Sequence, residues 1–200
     1  MPFTKTVQVA RPSLTKFFRV DLKMSFLSRL FGRGDDPSVP PVDVSIDLTR
    51  FRCNTTALGA PPTPSDGIAQ SLNKEGVFKD PTRGIEIGLE DGRLDYVFLT
   101  MSRFDGRLLA NERELAIHSA SCLDDVLKLF GEPYCLHEDD DEVILFYEDG
   151  RVELQFEFPG KVRLGLITLM LSPVLADAEQ RKSYGVTKPW PPAGKIHVRD

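Results

Sequence analysis

The chain writes one short pattern twice. Residues 88–98 read GLEDGRLDYVF and residues 146–156 read FYEDGRVELQF, so an Asp-Gly pair stands between apolar runs at two places fifty-eight residues apart. Asp-Gly flanked by alternating apolar residues is the strongest short-range hairpin signal, because a two-residue type I′ turn needs positive φ at both central positions. Two such hairpins commit much of the chain to antiparallel sheet. In the second, Val152, Leu154, Phe156 and Phe158 alternate with Glu153, Gln155 and Glu157, which predicts one buried and one solvated face. The same alternation in the first turns Leu94, Tyr96 and Phe98 inward and leaves Asp95, Val97 and Leu99 outward.

A helix is expected before the second hairpin. In SCLDDVLKLF, residues 121–130, Leu123, Val126, Leu127 and Phe130 fall on one stripe. Ser121 and Asp124 suggest a capping box, and Gly131 then Pro133 stop the helix. Leu58-Gly-Ala-Pro61 precedes Phe130-Gly-Glu-Pro133 by seventy-two residues, and at that offset Thr49 falls under Ser121 and Phe51 under Leu123. The expected fold is therefore α+β, an antiparallel sheet built from two helix–β-meander repeats with the helices packed on one face. The first copy is longer by about fourteen residues, which fall within 62–84, a stretch whose Pro, Gly, Ser and Asp content reads as an elaborated loop. Further expectations are a strand with Val44, Ile46 and Leu48 inward, two short strands around Asn111-Glu112, a third meander strand over 163–171, and a short helix over 174–184. The organisation expected is a basic leader and linker over 1–42, repeats over 43–105 and 106–171, and a C-terminal helix with a Pro-rich tail over 172–200.

The segments TRFRCNTTALGAP with IEIGLEDGRLDYVF, and SCLDDVLKLFGEP with VILFYEDGRVELQF, are the matching pieces of a pattern that covers roughly residues 44–171. Their arrangement resembles the β-lactamase-inhibitor-protein-like fold and the small outer-membrane-assembly lipoproteins that share its single unit. It is also similar to short bacterial proteins of immunity type. The resemblance implies a sheet with one face free to bind protein, and carries over no catalytic or binding residue.

Charge and composition narrow the function classes. Residues 1–34 carry a net +6, so the rest of a chain of net charge −5 carries −11. Such an acidic body repels nucleic-acid phosphates and favours a basic protein partner. Nine acids and one arginine stand between positions 138 and 157, so Glu138, Asp139, Asp140, Asp141, Glu142, Glu153, Gln155 and Glu157 are the expected partner-binding surface. Trp190, the single tryptophan, joins them as an anchor or an edge plug. The run 137–142 lacks the alternate acids and sixth-position Gly of a calcium loop, yet a metal-dependent enzyme or metal-binding module centred there is the first alternative. The second is a peripheral membrane adaptor acting through residues 26–31, where Phe26, Leu27, Leu30 and Phe31 share a helical face. Met24 reads as a second possible start, and the sequence leaves open whether residues 1–23 belong to the native protein. No GxSxG, HExxH or glycine-rich phosphate loop occurs, so neither cofactor nor catalysis is expected. Cys53, Cys122 and Cys135 form no CxxC pair and suit a reduced, cytoplasmic protein.

Overall fold

In the computed structural model, which describes residues 43–192 and 195–199, both Asp-Gly pairs lie in hairpins of one sheet. The elements follow in the order β1 (Ser45–Asp47), β2 (Arg52–Cys53), β3 (Thr56–Ala57), α1 (Gly67–Ser71), β4 (Val77–Asp80), β5 (Ile85–Glu90), β6 (Arg93–Thr100), β7 (Arg107–Ala110) and β8 (Arg113–Glu114). Then come α2 (Leu123–Phe130), β9 (Cys135–Glu138), β10 (Glu142–Glu148), β11 (Val152–Pro159), β12 (Leu166–Leu171), a 3-10 turn (Val174–Ala176) and α3 (Ala178–Ser183). The expectations for residues 1–42, including the membrane-contact segment 26–31, lie outside the described residues.

The expected layer of helices on one sheet face does not form. Among the described residues the protein is mainly β, with a seven-stranded antiparallel sheet in the order β4-β5-β6-β12-β11-β10-β9 and a five-stranded mixed sheet in the order β3-β2-β1-β7-β8. The helix expected near residues 49–58 is replaced by turns and the short β2 and β3. Phe51 and Asn54 there take left-handed φ values of 52° and 51°, and Asn54, Thr55 and Thr56 are poor helix formers. The stretch 62–84 holds α1 and β4 rather than loop alone, and Asp66 caps α1 by accepting from Ile68 N at 3.1 Å.

What recurs at the fifty-eight-residue offset is a three-stranded meander. Val77–Asp80 corresponds to Cys135–Glu138, and each lies beside its own hairpin. The hairpins then differ at their turns. Asp91 and Gly92 both take positive φ, 50° and 73°, and make the two-residue turn expected of them. Asp149 does not; its Oδ1 accepts from Arg151 N and Val152 N at 2.9 and 2.8 Å, and only Gly150 is left-handed.

The tight first turn pairs Leu89 with Leu94, but further along Gly88 pairs with Tyr96, so Asp95 is the extra residue of a β-bulge. A one-residue slip sends every later side chain to the other face. Val97 and Leu99, expected outside, are each 1% exposed in the core, whereas Tyr96 and Phe98, expected inside, stand on the outer face.

The inner face of the large sheet packs Ile85, Ile87, Val97, Leu99, Ile167, Leu169, Leu154 and Phe156 against Ile46, Leu48 and Cys53 of the small sheet. Burying side chains of this size contributes about 1.5–3 kcal/mol each. The two-turn α2 closes one corner, with Phe130 at 5.0 Å from Phe156 and 5.5 Å from Tyr147. Its cap lies one residue beyond the expected box: Cys122 is the N-cap, and its N–H donates to Asp125 Oδ2 at 2.9 Å.

Asp47 ties the small sheet together. Its Oδ1 accepts from Thr49 N, Thr49 Oγ1 and Arg50 N at 2.9–3.1 Å, while Oδ2 accepts from Glu112 N at 2.8 Å, across the β7–β8 turn. Burial alone would raise this carboxyl, but the donors, Glu112 N first, hold it below the usual range. Asp47→Ala should cost roughly 2–3 kcal/mol in denaturant unfolding, because buried donors lose their acceptor. A depressed folded-state pKa means stability that is present above the unfolded value, near 4, and lost as pH falls through the folded one. The acid limb of the wild-type stability curve should therefore flatten in Asp47→Asn.

Candidate functional site

The large sheet's outer face divides in two. On the β4-β5-β6-β12 half, Tyr96 and Phe98 stack with ring centroids 4.6 Å apart, both half-buried. Cross-strand neighbours extend this strip: Tyr96 pairs with Met170 and Phe98 with Thr168 on β12, and on the other side with Gly88 and Glu86 on β5. Gly88 carries no side chain because the Tyr96 ring occupies its place; a Cβ there would lie 2.1 Å from Tyr96 Cε1. The Tyr96 hydroxyl donates to Glu86 Oε1 at 3.1 Å, and Lys79 Nζ pairs with Glu86 Oε2 at 3.2 Å, out of hydrogen-bond alignment. Aromatic and Met side chains beside a Lys79–Glu86 ion pair have the composition of protein-binding surfaces.

The other half is covered. Residues 172–192 form a strap across β9, β10 and β11, in which buried Leu175 packs on Cys135, Ile144 and Phe146. Tyr184 lies 5.2 Å from Phe146 and 4.8 Å from His137, and Tyr134 donates to the carbonyls of Lys188 and Pro189 at 3.2 Å. Trp190 meets Tyr134 edge-on at 5.8 Å beneath the Arg181 guanidinium, so it closes the strap onto the sheet's rim.

This cover corrects the expected acidic surface. Glu153 is fully buried and Gln155 is buried beside it, not solvated, and Glu157 is half-buried. Gln155 Nε2 donates to Glu153 Oε1, and Val174 N donates to Glu153 Oε2 at 2.9 Å. Directly opposite on β10 stands Glu148, also buried. Burial first, then the Glu153 charge, pushes the Glu148 carboxyl up to about 11, and burial raises Glu153 too. The two interact as acid and carboxylate, although neither Glu148 oxygen meets ordinary hydrogen-bond geometry. Period-2 alternation shows which residues share a face; it says nothing of what a segment twenty residues downstream lays over that face.

The remaining acids gather at the opposite end of β10. Asp139 Oδ1 accepts from Asp141 N and Glu142 N at 2.8 and 2.9 Å, which builds an ordered turn with Glu138, Asp140 and Asp141 exposed and Glu142 buried. Lys161 Nζ neutralises Glu138 at 2.8 Å. Among the described residues no three His, Cys, Asp or Glu side chains are placed to hold a metal ion, in this turn or elsewhere. No helix of the described residues is long and apolar enough to cross a membrane.

No family model, no curated protein and no solved structure matches the chain. The outer face is therefore to be tested through its own residues. Gly88→Ala should push the Tyr96 ring aside, at a stability cost of about 1 kcal/mol for the lost hydrogen bond. The Tyr96–Phe98 stack should loosen with it, read as a change in near-ultraviolet circular dichroism while the far-ultraviolet sheet signal stays in place.

Proposed function

We propose that the protein is a non-enzymatic, cytoplasmic protein-binding module of inhibitor or immunity type, and that it meets a basic partner through the outer face around Tyr96 and Phe98. The observation that carries this reading is the Asp95 bulge, which takes two aromatic side chains away from the core and sets them on the sheet's outer surface. Bulges re-aim side chains in this way beside functional sites, and Tyr is among the residues that most often dominate binding energy at interfaces. The negative balance of residues 35–200 and the exposed acidic turn after β9 support a basic partner, whose approach a charged surface steers. Three free thiols support a reduced compartment.

Photo-crosslinking tests the reading directly. A benzophenone side chain at position 98 of the full-length protein in cells should give an adduct with a basic protein, while the same probe at exposed Glu75 should not. The adduct should weaken as ionic strength rises, and should vanish when Tyr96→Ala is added. Absence of any adduct at 98, or identical adducts from both positions, would sink the proposal.

A further inference from the structure

Two acids directly opposite each other on neighbouring strands repel when both are charged, and here both are withdrawn from water: Glu153 is 0% and Glu148 5% exposed. Glu153 is compensated by Val174 N and Gln155 Nε2. Glu148 has no such donors. The charged and titratable groups around the pair do not neutralise it. Asp149 on the adjoining turn adds negative charge. Cys135 on β9 and Tyr134 just before it are neutral, their own ionisation pushed upward by burial, the thiol to about 11. From the strap, Arg181 is committed to the carbonyls of Leu175 and Ala176 at 2.8 Å, and Lys188 lies 3.9 Å from Glu132.

The strap that covers this pair packs in a small cluster of its own, Leu175 with Cys135, Ile144 and Phe146, apart from the main core between the sheets. Elements held by few buried contacts open without global unfolding. We propose that residues 172–192 are a releasable cover over the outer sheet face, latched by Glu153 on Val174 N and kept closed by one proton held between Glu148 and Glu153.

The direction of the pH response follows from linkage. With the strap closed the Glu148 carboxyl ionises only near 11, whereas in water a Glu side chain ionises near 4.3. A pKa raised in the closed state means closure that is complete below the open-state value and weakens as pH rises toward the closed-state value. Across that window the closing equilibrium falls about tenfold per pH unit, the slope of one proton. Opening would bare Ile144 together with Phe146 and Cys135, the last two of which continue the cross-strand row of Phe98, Thr168 and Gln155. The proposal stands whether or not that face binds a protein.

Trp190, the only tryptophan, sits in the strap and reports on it. The full chain carrying Tyr134→Phe, Cys135→Ala and Tyr184→Phe, which removes the thiol and the two phenols of this cluster that ionise in alkali, is titrated from pH 5 to 10. Trp190 emission is followed beside the far-ultraviolet sheet signal. Emission should shift to the red with a one-proton slope while the sheet signal holds. Glu148→Gln, which cannot lose the proton, should abolish the shift. Val174→Pro, which removes the latching N–H, should move it to lower pH, and Asp140→Asn in the remote turn should leave it in place. Emission that stays flat, a shift unchanged in Glu148→Gln, or emission and sheet signal moving only together would each overturn the proposal.

Discussion

The pairing of β6 with β12, from Thr100 opposite Leu166 to Tyr96 opposite Met170, makes one sheet of two meanders. Each meander alone would end in an open edge with unpaired backbone groups. The first leaves the sheet after Thr100, goes on to β7 and β8 in the small sheet, and returns through α2 to begin the second. The chain comes back through β12, the strand that follows the second meander, to fill the edge left by the first. Because the ladder is continuous, the outer face carries unbroken side-chain rows across six or seven strands. Everything proposed for that face depends on this seam.

Much of the architecture was legible because local signals agree with the fold. Leu123, Val126, Leu127 and Phe130 with the Gly131 stop specify α2, and the alternation from Val152 to Phe158 specifies β11 and its inward face. The two short strands around Asn111 and Glu112 form as read, and the two turn residues take left-handed φ. Where the reading failed, a non-local term outweighed the local one. Aligning Thr49 to Leu58 with α2 relied on a shared Gly-x-Pro stop, but the Asp47 carboxylate gathers Thr49 and Arg50 into a turn and ends any helix there. Short β4, with Lys79 and Asp80 among four residues, shows too little alternation to be recognised without its partner strand.

The candidate site was less legible than the fold, for two separate reasons. A bulge moves the phase of a strand by one residue without leaving a mark on composition, so Tyr96 and Val97 exchange faces silently. Burial of Glu148 and Glu153 depends on residues about twenty positions onward, and a carboxylate that will be covered looks in sequence like any solvated one. The acidic stretch from 138 to 157 therefore became two unlike things, an ordered exposed turn and a buried acid pair, at opposite ends of β10.

Asp95 has a further consequence for how such a chain can change over generations. Most surface diversification proceeds by substitution, one side chain at a time. Here a change of length is also open to the chain: removing Asp95 would join Leu94 to Tyr96 in a regular ladder, with Tyr96 still opposite Gly88 and Val97 still opposite Ile87, so both faces would keep their residues. Loss of that one codon would thus straighten the strand without altering what either face displays. Homologues one residue shorter at this point should be read as carrying the same faces without the bulge.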